Sequence, residues 1–193
     1  MRNLPEYIHD RMGGQLEEGQ IADYVIVPGS QNRITKIVSH WETNRMLAHH
    51  YEFLVHSGTL DGQAITACST GIGGRSTSIA IDEMAALGAN TFIRIGVTGG
   101  IQPGMGVGDL VIASGAVRMD KTSEHYVFLE YPAVADLEVT CALIAAAETE
   151  GCAYHVGIGA TASSFYAGQG LTCFNGYRNS KMDTIAFDIA AAN

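Results

Sequence analysis

Gln63-Ala-Ile-Thr-Ala-Cys-Ser69, then Thr70-Gly-Ile-Gly-Gly74, then Ser76-Thr-Ser-Ile-Ala-Ile-Asp-Glu-Met-Ala-Ala-Leu87, then Thr91-Phe-Ile-Arg-Ile95 run in unbroken order. The first piece reads as a strand. It follows an Asp61-Gly62 turn and a strand over residues 52–60, the pattern of a β-hairpin. The second is a glycine turn. The third reads as a helix with Ala80, Met84 and Leu87 spaced for one buried face, Asp82 and Glu83 expected to point outward, and Gly88 as its stop. The fourth is a short apolar strand. Strand, helix and strand joined by short loops imply a parallel crossover unit.

The same alternation extends in both directions. Residues 24–27, Tyr-Val-Ile-Val, form a first strand ended by Pro28-Gly29. Residues 109–113 read as another strand. A helix follows over residues 132–150, with Leu137, Cys141, Ile144 and Glu148 in register and Gly151 as its stop. Residues 154–160 read as the next strand. With no repeats, low-complexity tracts or linkers, residues 1–193 are expected to form one α/β domain. From Gly168 the pattern weakens. The chain stops on Asp188-Ile-Ala-Ala-Ala-Asn193, which resembles the interior of a helix, so the domain is expected to lack its C-terminal portion.

Arg94 stands inside the apolar run Phe92, Ile93, Ile95, just before the glycine-rich turn Gly96-Val-Thr-Gly-Gly100. A guanidinium keeps its charge, and burying one unpaired is costly. A fixed carboxylate or a bound anion must therefore be near it, and both readings stay open. Pro28-Gly29-Ser-Gln-Asn-Arg33 offers a second arginine close to a strand end, where open α/β sheets bind ligands. Together Arg33 and Arg94 suit a tetrahedral oxyanion; the alternative for Arg33 is a solvated surface charge.

Composition narrows the classes. The chain has 193 residues, 47% hydrophobic, enough to bury a core. A net charge of −9 with only 11 Lys and Arg argues against nucleic acid or an anionic membrane as partner. No apolar run reaches the roughly 18–20 residues of a membrane span, and Met1 to Asp10 is polar and mixed in charge, so a cytoplasmic protein is expected. Cys68, Cys141, Cys152 and Cys173 show no metal-ligand spacing and read as reduced thiols. His49-His50 lacks the spacing of a helical metal pair.

Other motifs are weaker. Gly71-Ile-Gly-Gly-Arg-Ser76 before a helix suggests an anion cradle, but Ser76 takes the third glycine position of a dinucleotide fingerprint and no P-loop lysine follows. Gly104-Met-Gly-Val-Gly-Asp109 reads as a surface turn. Phe165-Tyr-Ala-Gly-Gln169 sets an aromatic face beside an amide, suited to stacking on a flat ring and bonding its edge, or simply a packed loop.

Read together, Val27-Pro-Gly29 with Arg33, Cys68-Ser-Thr-Gly-Ile-Gly-Gly74 with Ser76-Thr-Ser-Ile-Ala80, residues 92–102, Tyr131-Pro-Ala-Val-Ala-Asp-Leu-Glu138 and Phe165-Tyr166 with Gly168-Gln169 resemble the nucleoside phosphorylase family, in its uridine phosphorylase branch. The resemblance implies a three-layer α/β/α fold with a central mixed sheet. It also implies phosphorolysis of uridine or a related nucleoside, a step of nucleoside catabolism and pyrimidine salvage, with inorganic phosphate as co-substrate and no organic cofactor. Gly29, Arg33, Arg94, Val97 and Thr98 match phosphate-binding positions, and Arg33 and Arg94 are the residues expected to carry catalysis. Phe165 and Gln169 match base-binding positions, and His9 matches the histidine lent by a neighbouring subunit to the ribose. Glu52, Ile72 and Ser76 match positions that hold a potassium ion, which displaces the anion reading of the Ser76 helix start. A homodimer within a homohexamer is implied.

The chain departs from the family pattern at several points. Tyr51 stands where an arginine usually precedes Glu-Phe, Val97 where a hydroxyl residue is usual, Leu171 where an arginine contacts the base, and Ser30-Gln31 where Asp-Pro is usual. The Glu-Met-Glu segment that grips the ribose would fall beyond Asn193. These departures keep two further readings open: a hydrolytic nucleosidase on the same fold, and a non-catalytic nucleoside- or phosphate-binding relative.

Overall fold

A computed structural model describes residues 16–181 and 183. The chain divides into two compact units, Met1–Val97 and Thr98–Asn193. In the first, five strands form one mixed sheet: β1 (Tyr24–Ile26), β2 (Thr43–His50), β3 (Phe53–Leu60), β4 (Gln63–Cys68) and β5 (Thr91–Ile93), in the order β2-β3-β4-β1-β5. β3 runs antiparallel to β2 and to β4, whereas β1 is parallel to both β4 and β5. The predicted crossover is thus present, with β1 inserted between its two strands.

Side-chain alternation sorts the sheet residues onto two faces, and a helix covers each. Val25, Val27, Phe53, Val55 and Cys68 pack with Ala80, Met84 and Leu87 of α2 (Gly74–Ala86) and its C-cap. Ile26, Leu54, Ile65 and Ala67 pack with Ile34 and Val38 of α1 (Gln31–Val38). Helix, sheet and helix form three layers, as the family resemblance implied. β1 is covered on both sides, which explains its unbroken apolar run.

Local chemistry fixes the connections. Asp61 and Gly62 both take positive φ, 50° and 73°, the two-residue turn expected between β3 and β4. α2 ends in a Schellman arrangement: Gly88 at φ 114° lets Ala89 N donate to Met84 O and Gly88 N donate to Ala85 O. Asn90 N and Thr91 N then both bond Asp23 O, which sets β5 beside β1.

The second unit holds β6 (Leu110–Met119) and β7 (Tyr154–Ala162), a parallel pair joined through α3 (Leu137–Thr149). Asp109 accepts from Gly106 N and pairs with His155, each at 2.8 Å, where β6 and β7 begin. The 104–109 stretch is a turn, as expected, with Gly104 and Gly108 at positive φ. Cys68 is buried, Cys173 half-buried, and Cys141 and Cys152 exposed, all as free thiols. No helix among the described residues is long and apolar enough to cross a membrane.

Four expectations need correction. Glu83 is buried, not outward, although Asp82 is exposed. Arg94 is not in a buried strand: β5 stops at Ile93 and Arg94 is exposed. The helix expected from residue 132 starts at Leu137, because the Asp136 side chain caps it by accepting from Val139 N at 2.9 Å. Its inward face is Thr140, Ile144 and Ala147, leaving Leu137 and Cys141 exposed. Residues 31–50, unassigned from sequence, form α1 and β2. The last residues, expected to be helical, lie outside the described set.

Two stability tests follow. A Cβ on Gly58 would overlap the Thr43 carbonyl oxygen and crowd Asn44 Cα across the β2–β3 ladder. Gly58→Ala is expected to lose about 1–3 kcal/mol by denaturant unfolding, whereas Gly159→Ala, whose nearest neighbour is 3.9 Å away, should change little. The bonds from Gly106 N and His155 hold the Asp109 carboxyl below its ordinary range. Its stabilisation is therefore present above the unfolded-state pKa and lost as pH falls through the folded value. Asp109→Asn should melt lower than the parent protein at neutral pH, with the gap closing on acidification below about pH 4.

Candidate functional site

The carboxyl ends of β4, β1 and β5 lie side by side, and the chain beyond each is held in place. Val27 N donates to Ile93 O at 2.9 Å on one side of β1, and Thr70 N donates to Pro28 O at 2.9 Å on the other. Gly29 follows at the middle of the three ends. A Cβ there would stand 3.1 Å from Gly71 O, so the small residue keeps the notch between the two loops open. Thr70 is fully buried. Its backbone bond, not a ligand contact, is what fixes the width of the notch.

Two arginines follow the strand ends that border this notch. Ser30 caps α1 by accepting from Asn32 N, and Arg33 sits in the first turn of that helix, where no acidic residue is found. An arginine at the positive end of a helix dipole is electrostatically disfavoured until an anion arrives. Arg94 follows β5 directly, and its guanidinium lies over Gly96, where any Cβ would collide with Nη1. Neither arginine has an ion-pair partner among the described residues. The fixed-carboxylate alternative therefore has no support, and both charges remain available to a ligand.

A second cluster forms beside the first. The backbone of Glu52 is held by Ser69, whose Oγ donates to Glu52 O at 2.6 Å and accepts from Leu54 N at 2.9 Å. The Glu52 stem then lies against Gly71, whose φ of 71° and missing Cβ make the approach possible. Ser76 Oγ lies 3.3 Å from Ile72 O, to which it can donate, and borders the same glycine. Glu52, Ile72 and Ser76 thus converge and supply three kinds of oxygen: carboxylate, carbonyl and hydroxyl. Tyr51 precedes them at φ 50°, its carbonyl accepting from Gln31 Nε2 at 2.6 Å. That bond ties the hairpin tip to the start of α1.

Val97 is 82% exposed at the end of the first unit. Thr98 opens the second unit and is likewise exposed. In the second unit, Phe165 stands edge to face with Tyr166, ring centroids 5.3 Å apart, and both are exposed. Gln169 is exposed in a short 3-10 turn (Ala167–Gln169), its N–H bonded to Tyr166 O. Gly170 at φ 73° closes the turn. His9 lies outside the described residues.

The parts the sequence reading left unassigned are the spacers: Ser69, Thr70, Ser30 and Gln31. Ser69 and Thr70 stand inside the motif that was recognised, but their roles depend on long-range partners. Cys68, in the same motif, is pushed up to about 12 by burial and by the nearby Glu83 carboxylate. It remains a thiol of the core and no nucleophile.

Comparison with known proteins agrees with this geometry. Residues 23–189 match the Phosphorylase superfamily. The uridine phosphorylase of Thermococcus kodakarensis is 53% identical over 174 residues, covering 90% of this chain and 63% of that protein. The Escherichia coli uridine phosphorylase is 49% identical over 150 residues, 78% of this chain and 59% of the relative. A guanosine phosphorylase of Halorubrum lacusprofundi is 37% identical over 151 residues, 78% and 63% respectively. The chain thus spans about three fifths of the length of these curated relatives. With that match and this arrangement of strand ends, the chain belongs to the phosphorylase superfamily and is uridine phosphorylase-like.

Proposed function

We propose that the protein phosphorolyses uridine or a related nucleoside, giving the free base and ribose or deoxyribose 1-phosphate. The observation that carries the reading is the pair Arg33 and Arg94, two arginines without an ion-pair partner among the described residues. Each follows the carboxyl end of one of two adjacent parallel strands. The relatives that bear the name uridine phosphorylase support the choice of nucleoside. The guanosine phosphorylase among them keeps the base identity broader than uracil.

In this reading phosphate occupies the notch at Gly29, held by Arg33 and Arg94 and by the Val97-Thr98 turn. A phosphate oxygen attacks C1′ while the C1′–N bond breaks and its electron pair leaves with the base. The sugar carries positive charge in the transition state, so a dianion fixed beside it supplies both proximity and counter-charge. Phe165 stacks on the base and the Gln169 amide steadies the charge growing on it. His9 bonds the ribose. No step uses a protein nucleophile or an organic cofactor.

Glu52, Ile72 and Ser76 offer hard oxygen donors, which suits a potassium ion better than a soft metal. Three donors from one chain leave such an ion open on one side, which fits a site completed by a second copy. A homodimer within a homohexamer, working in the cytoplasm on nucleosides from pyrimidine salvage, is the assembly this reading carries with it.

The test is base release from uridine, thymidine, inosine and adenosine, with and without phosphate. Phosphate-dependent release of uracil with matching formation of ribose 1-phosphate is expected. Release that ignores phosphate would make the protein a hydrolase, and no release would make it a binding relative. Arg94→Met removes charged hydrogen bonds worth about 1.5–3 kcal/mol. It is expected to raise the phosphate KM by roughly 10- to 150-fold while leaving the uridine KM within about a factor of three.

A further inference from the structure

The loop that follows β6 is built around a single arginine. The chain leaves β6 at Met119 and returns beside it at residues 133–135, where Ala116 N donates to Ala133 O at 2.8 Å and Ala135 N donates to Ser114 O at 2.9 Å. Gly115 permits that return, since a Cβ there would lie 2.8 Å from Ala133 O. Between these ends, buried Asp120 accepts from Thr122 N and Ser123 Oγ and starts a short 3-10 turn. The half-buried Arg118 then donates to three backbone carbonyls of the loop: Val127 at 3.5 Å, Phe128, and Tyr131 at 3.1 Å. Among the described residues it has no ion-pair partner. Its charge is spent on shaping backbone.

What the pinned loop displays is unusual. Tyr126, Phe128, Leu129 and Tyr131 are all exposed, Phe128 at 66%, and the Phe128 and Tyr131 rings meet edge to face at 6.1 Å. An ordinary surface loop carries small polar residues at its tip. A closed loop held by its own arginine with aromatic rings turned outward is built to present those rings.

Position says to what. Arg118 pairs with Thr161 and Met119 with Ala162 across the parallel β6–β7 ladder, so the loops after these strands leave the same sheet end. Their roots are joined by Ser163 Oγ donating to Met119 O at 3.4 Å. The loop after β7 carries Phe165, Tyr166 and Gln169. Two edge-to-face aromatic pairs thus stand on the loops that leave this sheet end. The Phe128 pair lies on the side where the chain folds back along the β6 edge opposite β7. Such sheet ends bind ligands.

We propose that Arg118 is a positioning residue for the nucleoside site, holding Phe128 and Tyr131 as a second aromatic wall beside Phe165. The inference rests on the phosphorolysis reading and adds to it a loop the base would meet. Arg118 itself does not touch the substrate. The three acceptors are shared between two guanidinium nitrogens, a spread of donors that a lysine ammonium does not reproduce.

The test compares Arg118→Met, Arg118→Lys and Phe128→Ser with the parent protein, reading kcat and the two KM values separately. Arg118→Met and Phe128→Ser are expected to raise the uridine KM about tenfold, with the phosphate KM within about a factor of two and Arg118→Lys in between. Calorimetry with free uracil should show the same loss, without depending on turnover. Phe128→Ser removes an exposed ring and leaves the clamp intact, so it decides the matter if Arg118→Met does not fold. An unchanged uridine KM and uracil affinity in folded Phe128→Ser overturns the inference, as does an equal rise of both KM values. A parent protein that binds uracil but releases no base overturns the phosphorolysis reading and leaves this one standing.

Discussion

The constraint on which the rest depends is the bonding of β1 at its carboxyl end. β1 is three residues long and central, with β4 on one side and β5 on the other. Val27 N reaches Ile93 O at the end of the β1–β5 pairing, and the next residue, Pro28, faces the other neighbour, its carbonyl accepting from Thr70 N beyond β4. The strand stops there, and β5 stops with it. Arg94, the first residue past β5, is exposed.

That outcome also resolves the electrostatics. A buried guanidinium would need a permanent carboxylate, and such a pair would have no charge left for a ligand. An exposed one keeps its hydration until an anion displaces it, so it stays charged without a resident partner. Arg33 reaches the same condition by a different route, at the dipole-positive end of α1 with no acidic residue in the turn. Two cations prepared in this way suit a multiply charged oxyanion better than a monovalent one.

Much of this was legible in the sequence, and the failures have identifiable causes. Asp61-Gly62, Gly88 and Gly151 fix their turns by conformation alone, so the elements around them could be read directly. Glu83 was misplaced because charge was weighed above geometry. It lies three residues after Ala80 and four before Leu87, which puts it on the same helical face. α3 gives no such signal, since apolar residues surround it and several faces look equally suited for burial. α1 is two turns long, and β2 is an edge strand whose polar residues and register shift between Met46 and Ala48 blur any alternation. The Glu52, Ile72 and Ser76 cluster was reached only through resemblance, because Ser69 and Gly71, which assemble it, act on partners distant in sequence.

The departures from the uridine phosphorylase pattern can be weighed in the same terms. Tyr51 is 70% exposed, Val97 is more so, and Leu171 is also exposed. None fills the core, so none is explained by packing, and replacing them should leave the fold intact. Each sits beside a candidate ligand group: Tyr51 before Glu52, Val97 beside Thr98, Leu171 two residues after Gln169. At each point a polar or charged side chain typical of the family is replaced by an apolar or aromatic one that faces outward. The fold and the two arginines are therefore kept while these three candidate positions become less polar. In the proposed site an anion is still selected through charge that has not changed. Discrimination among bases must then rest more on stacking and shape than on a charged contact, and stacking is the contribution that the rings at Phe165, Phe128 and Tyr131 are placed to make.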